Sequence, residues 1–154
     1  MIVSVKRTSA NDPDFRLLVE LLDKDLWLRY PDTQDFFTPF NVIKEDGKVV
    51  VAYVDGSPAG CGCFRGMDDR KTVEIKRMYV KDEVRGKGIG KRIVGELEAW
   101  ALEEEKTRAV LETGRNQPEA VALYKKLGYE ETERYGPYVD SEASICMGKT
   151  LSVK

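Results

Sequence analysis

The amino-acid sequence predicts a mixed α/β fold: a largely antiparallel sheet of six or seven strands with helices on both faces. Residues 72–80 (TVEIKRMYV) are rich in β-branched and aromatic residues and alternate in character, as strands do. After a glycine-rich turn, apolar residues recur at helical spacing over 89–101. An Asp55-Gly56 pair separates two further extended segments, which is a strong signal for a hairpin.

The N-terminal part of the chain predicts one strand and one long helix. Residues 2–8 alternate in character and should form an edge or first strand. Asn11 and Asp12 before Pro13 resemble a helix cap and a first-turn proline, so a helix should run from about 13 to 29. Its apolar positions trace a stripe suited to packing on a sheet: Phe15, Leu18, Val19, Leu22, Leu26 and Trp27.

The rest of the chain continues the alternation of strands and helices. After the hairpin of 49–54 and 59–65, the expected elements are strand 72–80, helix 89–105, strand 108–113, a helix from near Pro118 to Gly128, and strands 129–133 and 144–151. No internal repeat or linker interrupts this series. We therefore expect a single domain, 1–154, long enough to bury a sizeable core.

Composition narrows the class of protein. A net charge of −2 argues against a general nucleic-acid-binding surface. No apolar run is long enough to span a membrane and the N-terminus lacks a signal-peptide core, so we expect no membrane association and a cytoplasmic location. Cys61-x-Cys63 is too close for ordinary zinc spacing and the chain holds no histidine, so no metal site is expected. The cysteines should be small buried strand residues.

The turn of residues 84–91 (VRGKGIGK) has the geometry of an anion site. Backbone N–H groups and the positive end of the helix dipole point the same way, and three glycines in five residues let a bulky anion approach. Arg85, Lys87, Lys91 and Arg92 add positive charge. A P-loop fails because Arg85 stands at its first glycine and Arg92 at its hydroxyl residue; a dinucleotide fingerprint fails for want of a third glycine.

Arg85-x-x-Gly88-x-Gly90 resembles the pyrophosphate-binding motif Gln/Arg-x-x-Gly-x-Gly/Ala of the GCN5-related N-acetyltransferase (GNAT) superfamily. The resemblance covers nearly the whole chain. The segments from 72 to 113 look like the central motif of that superfamily, and NQPEAVALYKKLGY, residues 116–129, looks like the motif that follows it. Together with EIKRMYV, LETG, YGPY and CMGKTL, these segments resemble a bacterial subgroup of small-molecule acetyltransferases.

The resemblance implies acetyl-coenzyme A as co-substrate and direct acetyl transfer to an amine. The turn would bind the pyrophosphate, and the preceding strand would pair with the pantetheine arm and polarise the acetyl carbonyl through a backbone N–H. For Lys126, as for Lys125, a solvated helix lysine is the competing interpretation. The implied cofactor contacts are, in chain order, Met78, Tyr79, Val80, Arg85, Gly86, Lys87, Gly88, Ile89, Gly90, Lys91, Asn116, Tyr124 and Lys126.

Two residues carry the expected proton transfers. Glu74 stands eleven positions before Arg85, like the catalytic glutamate of the histone-modifying relatives, which makes it the candidate general base. A structural carboxylate paired with a cation is the alternative, with ordered water as the base. Tyr124 matches the family tyrosine near the cofactor sulfur and is the candidate general acid; a core aromatic is the alternative. A two-step route through a cysteine is disfavoured.

The acceptor is the least readable part of the sequence. The resemblance puts Arg29, Tyr30 and Phe37 near the acceptor pocket, and Tyr135 and Tyr138 of YGPY can line it. Core packing and a rigid turn are the competing interpretations. A small-molecule amine is the expected acceptor. The alternatives are a protein or peptide N-acetyltransferase and a non-catalytic coenzyme A-binding sensor. The superfamily often dimerises through sheet edges, so a homodimer belongs among the expected assemblies.

Overall fold

A computed structural model describes residues 1–29, 31 and 47–152. The strands of this part are β1 (Val3–Thr8), β2 (Lys48–Val54), β3 (Ser57–Gly66), β4 (Thr72–Val80), β5 (Arg108–Gly114), β6 (Glu130–Thr132) and β7 (Ser144–Thr150). The helices are α1 (Pro13–Arg29), α2 (Ile89–Glu103) and α3 (Pro118–Lys126), with 3-10 turns at Asp82–Val84 and Gly136–Tyr138. The order of elements agrees with the predicted order.

The strands form one sheet in the order β1-β2-β3-β4-β5-β7-β6. β4 and β5 are parallel, and the other neighbouring pairs are antiparallel. This confirms the predicted fold class. The hairpin of β2 and β3 turns at Asp55 and Gly56, whose φ angles are 49° and 85°, because a type I′ turn needs positive φ at both central residues.

Each face of the sheet has its own apolar core. On one face α2 and α3 cover β4, β5 and their neighbours, with Ile93 and Leu97 packed in a cluster with Val73 and Ile75. On the other face α1 covers β2 and β3, and Phe15 and Leu18 meet strand residues that include Cys61 and Cys63. The two cysteines are fully buried, as predicted.

Two sequence expectations about the helices need correction. Trp27 was expected on the packing stripe of α1, but its side chain is 47% exposed, because the stripe that packs on the sheet comprises Phe15, Leu18 and Leu22. α2 ends at Glu103 rather than 105, since Glu105 has a left-handed φ of 63° that stops the helix.

A β-bulge deforms β4 in its middle. The pairing of β3 with β4 passes from Cys63–Lys76 to Cys61–Tyr79, so Arg77 and Met78 both lie opposite Gly62. Arg77 takes a left-handed φ of 57°, and Gly62 lies so close to Met78 that an added Cβ would overlap the Met78 sulfur. The bulge turns Lys76 and Arg77 to the same face of the sheet. Lys76 lies beside Glu74 on the face that points away from the α2 core, and Arg77 pairs on that face with Asp23 of α1.

Candidate active site

The glycine-rich turn leads directly into α2. Gly88 precedes the helix with φ 81° and ψ 10°, a left-handed conformation that suits glycine. Arg92 is the first residue after it whose N–H donates to a helical carbonyl, at 3.1 Å from Gly88 O. Within the described chain the N–H groups of residues 86–91 donate to no backbone carbonyl. The turn therefore offers an anion several N–H groups at the positive end of a helix dipole.

The basic side chains of the turn have two different roles: Arg85 contacts the end of β4, whereas Lys87 and Lys91 are exposed to solvent. Arg85 donates from Nε to Val80 O at 2.8 Å, pairs with Asp82 at 2.5 Å and lies over the Tyr79 ring. It thereby ties the turn to the end of β4. Lys87 and Lys91 are exposed instead, and with Arg92 they border a surface depression of about 560 Å³. The positive charge next to the N–H groups therefore comes from Lys87, Lys91 and Arg92.

β4 and β5 separate beside this turn. Their parallel pairing covers Thr72–Ile75 with Arg108–Leu111 and stops there, although β4 continues to Val80 and β5 to Gly114. Of residues 76–80, Lys76, Tyr79 and Val80 pair with β3 and Met78 lies in the bulge, and within the described chain none of the five has a ladder partner on the β5 side. This edge of β4 is open to an extended ligand, since unpaired strand groups are a template for another strand.

Tyr124 enters the core from α3 on the α2 face. It is 6% exposed, and its ring packs edge-on against Tyr129 with centroids 5.9 Å apart. Burial, with the Glu112 carboxyl as a second cause, raises the pKa of the Tyr124 hydroxyl above its ordinary 10.0. That hydroxyl makes no hydrogen bond within the described residues. It is therefore a protonated donor without an internal acceptor.

α3 also borders the turn. A Cβ added to Gly90 would lie 3.0 Å from Leu123, the residue before Tyr124. Lys126 is exposed and lies one helical turn beyond Leu123, so the two residues share a side of α3. The start of α2 and the second half of α3, which carries Tyr124 and Lys126, are thus neighbours.

Glu74 lies on the opposite face of the sheet, on the side of α1. It is 2% exposed, and both of its oxygens accept hydrogen bonds: from Arg65 Nε at 2.8 Å and from the Tyr135 hydroxyl at 2.7 Å. The Lys76 ammonium lies 3.8 Å from the same carboxylate. Burial, and next the Glu74 charge, raises the pKa of Tyr135, so Tyr135 remains a donor at neutral pH.

The YGPY segment closes this side of the site. Tyr138 is buried, its ring packs edge-on against Tyr135 at 5.7 Å, and Lys76 Nζ lies 3.4 Å from its hydroxyl. Burial lowers the pKa of Lys76 and raises that of Tyr138. Both tyrosines therefore lie beside Glu74.

Glu112 is a carboxylate of the site that sequence reasoning did not select. It is the first residue of β5 beyond the parallel pairing, as Lys76 is the first of β4. Burial raises the pKa of Glu112, while Ser144 and Lys76 act in the opposite direction. Its place in LETG, within the predicted strand 108–113, was visible, but the register that brings it opposite Lys76 was not.

Arg29 connects the end of α1 to the loop after β5. It pairs with Asp25 at 3.1 Å and with Glu119 at 2.8 Å, and it donates to the backbone oxygen of Asn116 at 3.0 Å. The Asn116 amide in turn donates to the Arg29 carbonyl at 3.4 Å. The two residues predicted to contact acceptor and cofactor thus contact each other. Tyr30 and Phe37, the other predicted acceptor contacts, lie outside the described residues.

The cysteines are poorly suited to act as nucleophiles. All three are free and buried. Burial raises the pKa of the Cys63 thiol to about 12 and raises those of Cys61 and Cys146 in the same direction. The reactive thiolate is therefore scarce at neutral pH. In the described part of the chain, no helix combines the length and the apolar character needed to cross a membrane.

An opened pair of parallel strands beside a glycine-rich helix N-terminus is the arrangement that the resemblance to acyl-coenzyme A-dependent transferases implies, and comparison with known proteins agrees with that resemblance. The profile of the acetyltransferase (GNAT) family matches residues 11–129. An IAA acetyltransferase of Azospirillum brasilense is 31% identical over 150 residues, covering 97% of this chain and 98% of the relative. The chain belongs to the GNAT family and is an acyltransferase.

Solved structures share the fold over nearly the full length. A Klebsiella pneumoniae protein assigned to the acyl-CoA N-acyltransferases is 26% identical with a TM-score of 0.82, covering 98% of this chain and 99% of its own. A GNAT family acetyltransferase from Elizabethkingia anophelis, solved with acetyl-CoA bound, has a TM-score of 0.67 at 20% identity, covering 97% and 98%.

Proposed function

We propose that this acyltransferase transfers the acetyl group of acetyl-coenzyme A directly to an amine of a small molecule, with Glu74 as general base and Tyr124 as general acid. The observation that carries the proposal is the separation of β4 from β5 after Ile75 and Leu111, next to the N–H groups of the glycine turn. A phosphate-bearing ligand with an extended arm fits this arrangement, because the turn suits the phosphates and the open edge of β4 suits the arm.

The residues present suit the chemical needs of acetyl transfer. Acetyl-coenzyme A supplies the activated thioester. Backbone N–H groups of residues 86–91 would hold its pyrophosphate, with Lys87, Lys91 and Lys126 adding positive charge at the rim. The open edge of Met78, Tyr79 and Val80 would hold the arm and polarise the acetyl carbonyl, since a preorganised N–H stabilises the negative charge that develops there.

Tyr124 and Glu74 would move the protons. The raised pKa of Tyr124 keeps its hydroxyl protonated at neutral pH, as a donor to a departing thiolate must be. Glu74 is a buried carboxylate on the other side of the same opening, where it would accept the proton of the attacking amine. Its donors Arg65 and Tyr135 hold the carboxylate in a fixed orientation. The choice of a small acceptor rests on the resemblance to the bacterial subgroup of small-molecule acetyltransferases.

Thermal unfolding with and without ligands tests the donor. Acetyl-coenzyme A and coenzyme A should raise the free energy of unfolding by about 2.7 kcal/mol at one hundred times their Kd, and ATP should have little effect. Release of free thiol in the presence of a panel of small amines then separates an enzyme from a sensor. Stabilisation by coenzyme A without thiol release on any amine or peptide would favour the sensor. No stabilisation at millimolar acetyl-coenzyme A would refute the proposal.

A further inference from the structure

Arg77 is a buried cation that the proposed acetyl transfer does not use. The residue is 7% exposed and sits in the bulge of β4, two positions beyond the last parallel pair with β5. Its left-handed φ of 57° is unfavourable for a residue with a side chain. The bulge turns its guanidinium to the α1 side of the sheet, the side on which Glu74 and Lys76 lie.

The guanidinium is incompletely paired. One Nη donates to Asp23 of α1, but Nε is buried and has no hydrogen-bond partner among the described residues. The neighbouring cations Arg65 and Lys76 differ from Arg77 in their pairing, because both lie against the carboxylate of Glu74. Asp23 is itself half-exposed, at 50% of its side chain. A buried arginine N–H without an acceptor is unfavourable, so this edge of Arg77 is suited to an anion.

We infer that Arg77 binds a carboxylate of the acceptor, so that the substrates of this enzyme are amino-carboxylates rather than simple amines. The inference rests on the proposed function. The turn of residues 84–91 is the site for the phosphates of the donor, at the far end of β4. An anion at the middle of the strand, on the face of Glu74, therefore belongs to the acceptor.

The spacing of charges fits such a substrate. Glu74 and Arg77 are three residues apart on β4, and because Arg77 lies in the bulge, both side chains are on the α1 side of the sheet. An acceptor between them would direct its amine toward the negative side chain and its carboxylate toward the positive one. The planar guanidinium edge suits a carboxylate, since the two groups form parallel hydrogen bonds. Asp23 occupies part of the fork and competes with that ligand.

Matched acceptors test the inference. Thiol release from saturating acetyl-coenzyme A is followed with leucine, phenylalanine and tryptophan, and with the α-amide and the decarboxylated amine of each. The amide is a weaker base than the amino acid and the decarboxylated amine a stronger one. A preference over both therefore reports the carboxylate and not the basicity. We expect kcat/KM for at least one amino acid to exceed both analogues by about tenfold or more.

Variants assign the preference to Arg77. Arg77→Gln should bring the ratio of acid to amide close to one while thiol release on the amide persists. Asp23→Asn removes the competing carboxylate and should lower KM for the amino acid only. Arg16→Gln, which removes an arginine at the start of α1, is the charge control and should leave the ratio unchanged. A merely structural Arg77 would reduce all three acceptors equally. Should Arg77→Gln not fold, Asp23→Asn decides, because an unchanged ratio in that variant overturns the inference.

The outcomes separate the inference from the proposed function. Thiol release with equal or better rates on amides or simple amines overturns the role of Arg77 and leaves acetyl transfer standing. Stabilisation by acetyl-coenzyme A without turnover of any amino acid also overturns it. No stabilisation by acetyl-coenzyme A refutes the proposed function itself.

Discussion

Replacement of Glu74 by glutamine separates a general base from a structural carboxylate. The side chain keeps its shape, and only the charge and the proton-accepting capacity are lost. The amide oxygen can still accept from Arg65, and the amide NH₂ can donate to the Tyr135 hydroxyl, which rotates to accept it. The buried hydrogen bonds are thus kept in number.

The expected loss of stability comes mainly from the two buried partners of Glu74, Tyr135 and Lys76. Arg65 is 56% exposed, so its ion pair with Glu74 is screened by solvent and contributes little. Weakening of the charged hydrogen bond with Tyr135 costs about 1–2 kcal/mol, and the buried Lys76 ammonium 3.8 Å away, which loses its countercharge, adds about 1–3 kcal/mol. A domain with about 5–15 kcal/mol of stability stays folded after that loss. If Glu74 accepts the proton of the amine, kcat should fall about 10²- to 10⁴-fold while the Kd for coenzyme A is unchanged.

Glu98 provides a matched control. Like Glu74, it accepts a hydrogen bond from a tyrosine, Tyr129 at 2.8 Å, and pairs with a cation, Lys149 at 3.0 Å. It lies on α2, on the face away from Glu74. Glu98→Gln should lower the midpoint of urea unfolding by a similar amount and leave kcat unchanged. If Glu74→Gln retains kcat within about threefold at every pH between 6 and 9, Glu74 is a structural carboxylate and the reasoning fails.

Three further predictions concern the turn and the remaining proton-transfer groups. Tyr124→Phe should lower kcat by about 10²-fold with unchanged affinity for coenzyme A, and a variant with the full rate would exclude Tyr124 as the general acid. Because burial raises the pKa of Tyr124, ionisation of this hydroxyl should not reduce the wild-type kcat below pH 10. Gly88 has a φ of 81° and open space around an added methyl group, so Gly88→Ala should lower the free energy of unfolding in urea by about 1 kcal/mol through backbone strain alone. The same variant should bind coenzyme A less tightly by calorimetry. Gly95→Ala within α2 is the control and should reduce neither the stability nor the affinity. Glu112→Gln should gain stability over wild type as pH rises above 4.5, since a raised pKa means that ionisation of Glu112 opposes folding; a constant difference in unfolding temperature from pH 4 to 8 would contradict this.

The elements of the fold were predictable because their signals are local. The strand 72–80 and the helix start at Ile89 are confirmed at the predicted residues, since β-branched alternation and a glycine turn act over a few neighbours. The type I′ turn at Asp55 and Gly56 follows for the same reason. The exposure of Trp27 was not predictable from the period of α1, because it depends on how far the sheet extends beneath the helix.

The partners of the candidate site residues could not be predicted, because they depend on register. Glu74 was selected by its distance from the turn, yet its contact with Tyr135 joins residues 61 positions apart. That contact requires β7 to pair with β5 and to bring the YGPY turn back over β4. A one-residue slip in any of these ladders would move the tyrosine to the other face of the sheet.

The bulge in β4 shows how a local irregularity decides what the site can bind. In a regular strand, successive side chains alternate between faces, so Lys76 and Arg77 would lie on opposite sides of the sheet. The extra residue opposite Gly62 brings both cations to the face of Glu74, and Gly62 permits this because a side chain there would collide with Met78. Arg77 pairs with Asp23 rather than with Glu74, and its Nε has no acceptor among the described residues. This unpaired N–H lies on the face of Glu74 because of the bulge, and it makes the acceptor's own charge the property to measure first.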